Sequence, residues 1–299
     1  MSRLPDDGTF SPLNAVGIFT VNDFVKADGK LIEHHTNLSF REILRVKKDL
    51  INKYAPKPVN GYTYYKYLIR NSAIFPTGIK RVDDLLSGGF ATSKIYEISG
   101  LPACGKTLLC KTLAKHVVTN LNQKVFYLDS KKNFSAKRFR HMLNNANYKA
   151  LMENVLLKEL STKYDLTNSL FDIKQQIQNG LNVRVIIIDS LAPLFMDTKD
   201  NTENNNTLSH CANIMRYIAT QHHAVIIVTN LMTLWRESSD FDTYDVLKKS
   251  TSCGKFWQTV PNVKITLEKH VDADKVKLEV IKGPKIDFCD VTITDLGIC

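Results

Sequence analysis

The chain has 299 residues, 43% of them hydrophobic and 23% charged, with a formal net charge of +10. That length allows one large domain and a small one, and the apolar share supports a sizeable core. No apolar run is long enough to cross a membrane, which excludes a membrane-spanning reading, while the excess of Lys and Arg favours a polyanionic partner without locating it.

The segment Met1-Ser-Arg-Leu-Pro-Asp-Asp7 lacks the charged-then-apolar pattern of a signal peptide. Residues 1–54 are expected to form a small all-helical domain. Val16, Ile18, Val21, Phe24 and Val25, then Ile43, Leu44, Val46, Leu50 and Ile51, recur at near-helical spacing. Residues 55–76 are expected to be a linker, since Ala55-Pro-Lys-Pro-Val-Asn-Gly61 carries two prolines and a glycine. Residues 77–299 form the larger domain, introduced by Thr77–Gly89. Its strand-like runs are Ile95–Ser99, Lys124–Asp129, Val183–Asp189, Ala224–Thr229, Asn262–Glu268 and Lys275–Lys282. The runs at 183–189 and 224–229 are continuously apolar, as in strands covered on both faces of a parallel sheet, and helix-like stretches separate the first four. The last two alternate and are expected to form an antiparallel edge. Asn201–Asn206 is polar enough to be expected as a disordered loop.

Between the first strand and the helix-like run Leu108–Val118 lies Gly100-Leu-Pro-Ala-Cys-Gly-Lys-Thr107, a full match to G-x-x-x-x-G-K-[ST]. Such a loop cradles phosphates with backbone N–H groups, and Gly100 and Gly105 clear side chains from their path. The expected nucleotide contacts are Gly100, Leu101, Pro102, Ala103, Cys104, Gly105, Lys106, Thr107 and Leu108. Lys106 is expected to reach the β/γ-phosphates of a nucleoside triphosphate, and Thr107 to offer its hydroxyl to Mg2+. Val185-Ile-Ile-Ile-Asp189 places an acid at the end of a buried strand, suited to holding the water shell of that Mg2+. Ser190 either joins that shell or caps the next turn. The six cysteines, Cys104, Cys110, Cys211, Cys253, Cys289 and Cys299, show neither a C-x-x-C pair nor zinc spacing and are expected to be reduced thiols.

In this order, Thr77–Gly89, the glycine loop, Tyr127-Leu-Asp-Ser130, Val185–Ser190 and Val225-Ile-Ile-Val-Thr-Asn230 resemble the RecA-type recombinases over residues 60–295. Pro58-Val-Asn-Gly61, Lys124–Ser130 followed by Phe134-Ser-Ala-Lys-Arg138, and Cys253-Gly-Lys-Phe-Trp-Gln-Thr-Val-Pro261 are most similar to the eukaryotic paralogue group D of that family. The resemblance implies a RecA-like P-loop ATPase core of α/β class, with a mostly parallel central sheet and an antiparallel edge, behind the small helical domain. It implies nuclear homologous-recombination repair within a hetero-oligomer of other recombinase paralogues, the main recombinase as client, and contact with single-stranded or branched DNA.

The departures from that pattern concern hydrolysis. Where the strand-exchange enzymes carry a glutamate that activates water, this chain has Lys131, a cation and so no base at neutral pH. Lys131 is either solvated or in contact with phosphate or DNA. Asn230, a possible phosphate sensor, is retained, but the glutamine that follows it in the family is Leu231. Hydrolysis is therefore expected to be weak or partner-dependent. The self-polymerising members carry F-x-x-A where this chain has Asn60-Gly-Tyr-Thr63, which argues for a different neighbour on that side.

The DNA-contacting loops of the family correspond to Met196–Thr207 and Leu231–Gly254, neither rich in bases. The stretches Arg41–Lys57 and Lys131–Arg140 are more cationic, as DNA contacts or as solvated helix faces. Phe256 and Trp257 either stack a base or pack in the core, with packing favoured. Lys282 is expected near the nucleotide edge, facing a neighbour's phosphates or solvent. Two rival readings stand beside the main one. The first is an autonomous DNA-dependent ATPase or strand-exchange enzyme using Glu97 as base; the second is a nucleotide-free structural adaptor.

Overall fold

The computed structural model describes residue 4 and residues 8–55, 58–196, 201–237, 246–270 and 274–299. Two compact units divide the chain, Met1–Tyr67 and Leu68–Cys299.

In the first unit a short 3-10 turn (Ser11–Val16) precedes helices α1 (Val21–Lys26), α2 (Gly29–His35) and α3 (Phe40–Tyr54). Capping boxes start α1 and α3: Thr20 pairs with Asp23, and Ser39 with Glu42, so backbone N–H groups at each helix start find acceptors. Leu13, Ile18, Phe24, Ile32 and Ile43 form the buried cluster. The spacing of Ile43, Val46 and Leu50 puts those three on its inner face, whereas Leu44 and Ile51 lie around the helix and are exposed. Helix α4 (Gly61–Asn71) begins inside the stretch read as linker and runs through the boundary between the units. Asn60 explains its start, because its side-chain oxygen accepts from the N–H groups of Tyr62 and Thr63.

The second unit continues with β1 (Ile74–Phe75), α5 (Lys80–Leu85), β2 (Phe90–Ala91), β3 (Lys94–Gly100), α6 (Lys106–Asn120) and β4 (Lys124–Asp129). Then come α7 (Ala136–Leu143), α8 (Tyr148–Glu153), β5 (Val155–Glu159), α9 (Lys163–Gln178), β6 (Val183–Asp189), α10 (Ala192–Phe195) and α11 (Asn201–Gln221). The chain closes with β7 (Val225–Glu237), β8 (Val246–Thr251), α12 (Gly254–Thr259), β9 (Val263–Lys269), β10 (Lys275–Lys282), β11 (Phe288–Thr294) and β12 (Gly297–Ile298).

The large sheet runs β12-β11-β10-β9-β3-β7-β6-β4-β5. From β5 to β9 all neighbours are parallel, and β10, β11 and β12 add an antiparallel edge. One apolar cluster covers the face carrying α6 and α7, another the face carrying α9 and α11, which is why the middle strands are apolar throughout. Three expectations are corrected. First, β9 pairs with β10 as expected but is itself parallel to β3. Its alternation came in part from Lys264, a buried lysine whose ammonium lies 3.6 Å from the buried Glu97 carboxylate, so an internal charge imitated a solvent-facing one. Second, Asn201–Asn206 is not a loop but the start of α11, a 21-residue helix anchored by Leu208, Cys211, Ala212 and Met215. Third, Leu231–Gly254 is not an open loop: β7 and β8 pair as an antiparallel hairpin from Met232↔Thr251 to Glu237↔Val246.

Candidate functional site

The parallel strands end together on one edge of the sheet, and the residues singled out above converge there. Gly100 closes β3 and sits beside Leu231 on one side and Leu267 on the other. A Cβ on Gly100 would lie 2.4 Å from the Leu267 carbonyl oxygen and 2.6 Å from Cys104 Sγ, so only glycine fits. Gly105 turns the chain into α6 with φ +98°, a left-handed value that glycine adopts without strain. Leu101, Pro102 and Ala103 form the exposed crest of the loop, and Cys104 is buried beneath it. Lys106 and Thr107 are the first residues of α6, where unpaired backbone N–H groups and the helix dipole favour an anion. Leu108 packs against the core on the far side.

Lys106 is buried, and its ammonium donates to the carbonyls of Gly100 (2.8 Å) and Leu101 (2.7 Å), with Cys104 Sγ at 3.5 Å. Burial pulls the pKa of this ammonium below the usual lysine value, as it does for Lys111 one and a half turns later. Asp189 is fully buried at the end of β6. Its Oδ2 accepts from the Tyr127 hydroxyl at 2.8 Å and its Oδ1 from the Thr229 hydroxyl at 2.7 Å. Burial and the Asp189 charge raise the Tyr127 phenol well above its ordinary value, so it remains a donor. Tyr127 and Thr229 were not anticipated as site residues; each belonged to a quoted motif, but only the register of β4, β6 and β7 brings them onto Asp189. Lys131 Nζ approaches Asp189 Oδ1 to 3.7 Å. Asp129, level with Asp189 on the adjacent strand, accepts from the N–H groups of Lys131 and Phe134 and so shapes the turn that carries Lys131. Ser190 is buried, and its N–H and carbonyl are both tied to the Ser130 hydroxyl.

Asn230, within β7 and beside Ser99 near the end of β3, is fully buried. Its amide donates to Glu97 Oε1 (2.8 Å) and to the Ser252 carbonyl (3.0 Å), which uses both of its protons. Glu97 is buried too, and the same Oε1 accepts from Trp257 Nε1 at 2.8 Å. Trp257 is thus a core residue of α12, not a stacking platform. Lys282 is exposed but lies level with Lys264 and Glu97, well below the loop, with its ammonium on the Pro261 carbonyl at 2.6 Å. The expectation that it borders this chain's nucleotide edge is corrected: β10 runs antiparallel, so its end points away from the loop.

Among the described residues no group of three or more His, Cys, Asp or Glu side chains is placed to hold a metal ion by itself, and no helix is long and apolar enough to cross a membrane. A cavity of about 570 Å³ opens beside the loop, lined by Leu101, Pro102, Cys104, Met232, Lys264 and Glu279 among others. Of the two regions expected to contact DNA, residues 197–200 and 238–245 lie outside the described residues, and with them Asp197, Lys199, Asp200, Asp240, Asp242 and Asp245. Glu203 lies in the first turn of α11, 3.2 Å from the Lys163 ammonium.

A glycine loop between a central strand and a helix, an acid on a strand of the same edge, and a mostly parallel sheet with an antiparallel margin define a RecA-like core. The chain belongs to the Rad51 family, whose family model matches residues 70–297. It is 26% identical over 268 residues to the DNA repair protein RAD51 homolog 4 of Bos taurus, covering 86% of this chain and 80% of the relative. It is also 24% identical over 316 residues to the human DNA repair protein RAD51 homolog 2, covering 93% and 82%. A third relative is the DNA repair and recombination protein RadB of Archaeoglobus fulgidus, 25% identical over 163 residues, covering 53% and 71%.

Proposed function

We propose that this chain is an ATP-binding recombinase paralogue that assists homologous-recombination repair in the nucleus, as one subunit of a heteromeric paralogue complex with weak or partner-dependent ATP hydrolysis. The observation that carries the reading is the position of Lys131: the edge that builds a phosphate site presents an ammonium where the resemblance calls for a water-activating carboxylate. Membership in the Rad51 family and the relatives named for DNA repair support the pathway.

In this reading the N–H groups of residues 100–107 and the Lys106 ammonium receive the phosphates of ATP. Mg2+ fits the donor set only indirectly. Asp189 offers about four lone-pair sites, two of which accept from Tyr127 and Thr229, while the Lys131 ammonium stands at 3.7 Å, leaving room for metal-bound water. Thr107 would supply the second contact, and the metal when bound neutralises charge across the β- and γ-phosphates. Leu231 gives a γ-phosphate no hydrogen bond, and Asn230 would have to release Glu97 or Ser252 to do so. Glu97 is a poor alternative base, because it is buried and held by Asn230, Trp257 and Lys264.

DNA contact by the chain alone is weak in this reading. The basic stretch after β4 lines an open pocket with Lys137, Arg140 and His141, yet Arg140 is stacked on Tyr148 at 4.2 Å. Steady-state ATP turnover by the full chain, with and without single-stranded DNA, is expected far below the enzyme median of roughly 10 per second. It should rise only when co-purified partner subunits, identified by mass spectrometry, are added. Turnover near that median with DNA alone would instead establish an autonomous ATPase.

A further inference from the structure

Five charged groups crowd the carboxyl ends of β3, β4 and β6. Asp129 and Asp189 are fully buried, and Lys106 and Lys111 are nearly so. Lys131 is the fifth, and its side chain keeps 33% of its surface exposed. Three ammonium groups therefore face two carboxylates, leaving one positive charge in excess on an edge that already presents helix N–H groups to an anion. Lys111 is held back by the Asn133 carbonyl at 3.3 Å and by the face of Phe134. Lys106 is engaged with the loop's own carbonyls. Lys131 alone of the three combines partial exposure with a loose pairing, since 3.7 Å is an ion-pair distance and longer than a hydrogen bond. Its backbone is fixed by the N–H bond to Asp129 Oδ1 at 3.0 Å, so the side chain is delivered to this place whichever anion it serves.

We propose that the Lys131 ammonium is a built-in counter-cation of the phosphate site, which takes over part of the work of a divalent ion, so that ATP is held with little dependence on Mg2+. The inference rests on the reading of residues 100–107 as an ATP-binding loop. Its physical basis is competition at Asp189. An ammonium beside that carboxylate neutralises the charge that would hold the metal's water shell and repels a dication at the same point. The same ammonium can swing from the carboxylate to a phosphate oxygen, a stronger acceptor carrying more charge.

The test is calorimetric ATP affinity of the full chain in excess Mg2+ and in excess EDTA, for the wild type, Lys131→Ala and Lys131→Arg. The wild type and Lys131→Arg are expected to change by no more than about threefold between the two buffers, whereas Lys131→Ala loses about tenfold or more on chelation. Mn2+ titrated into the ATP complex, followed by its electron-spin signal, should bind Lys131→Ala more tightly than wild type. Equal dependence on Mg2+ in wild type and Lys131→Ala would overturn the inference while leaving the loop as an ATP site. Failure of the wild type to bind ATP in either buffer would remove the loop reading, and the inference with it.

Discussion

The Lys106 ammonium has three protons and, in the folded chain, finds acceptors within the loop itself at Gly100, Leu101 and Cys104. That arrangement satisfies a buried charge, which would otherwise be costly to keep out of water. Phosphate oxygens would be better acceptors than two carbonyls and a thiol, because the bond becomes charge-assisted on both sides. Lys106→Ala should therefore weaken ATP binding by roughly 2–4 kcal/mol, as for the truncation of one partner of a buried charge pair. Calorimetry on the folded variant checks this, and unchanged affinity would show that the loop binds something else or nothing. The motif made Lys106 and Thr107 legible from sequence, since spacing within eight residues is local. The partners of Asp189 were not legible: Tyr127 and Thr229 are 62 and 40 residues away along the chain and meet it only through strand order.

At the scale of elements, Glu97 ties four pieces of structure together. It sits on β3, accepts from Asn230 of β7 and Trp257 of α12, and lies 3.6 Å from Lys264 of β9. The Glu97 charge is tolerable at zero exposure only with these partners, so each is worth more than a surface contact. Trp257→Phe keeps an aromatic ring in the cavity but deprives Oε1 of a donor. It is expected to lower unfolding stability by about 1–3 kcal/mol, the cost of leaving a buried polar atom short of a partner. A urea titration followed by circular dichroism reads this, and a shift within error would mean that Glu97 finds a replacement donor. The same network explains why the pattern of β9 was misleading, because alternation reports polarity and not exposure. It also explains how α12 is held, since a six-residue helix has little intrinsic stability and depends on its buried tryptophan.

For the whole molecule, the two units carry separate apolar clusters, one around Phe24, Ile32 and Ile43 and others on the two faces of the sheet. A chain built this way can present each unit to a different neighbour, as expected of a subunit in a heteromeric assembly. Residues 1–54 retain the entire first cluster, and residues 60–299 retain α4 and the sheet. Pull-downs with these two fragments are expected to capture two different paralogues. Capture of the same protein by both, or by the intact chain only, would count against this division.

Sequence by itself determined the glycine loop, the acid at the end of β6, the cation at position 131 and the α/β class, because each rests on residue type and short-range spacing. The apolar runs of β4, β6 and β7 were equally plain, since a strand covered on both faces has no alternative to apolar residues. Tertiary structure decided that β9 joins the parallel set, that the asparagine-rich stretch starts a helix, and that Lys131, Tyr127 and Thr229 share one carboxylate. Those outcomes depend on which strands lie side by side, and hydrogen-bond pairing between segments dozens of residues apart leaves no local signature. Buried charge made the difference harder to see: Lys264 and Glu97 stand 3.6 Å apart inside the protein as an ion pair, and polarity in a sequence does not say whether water or another side chain answers it.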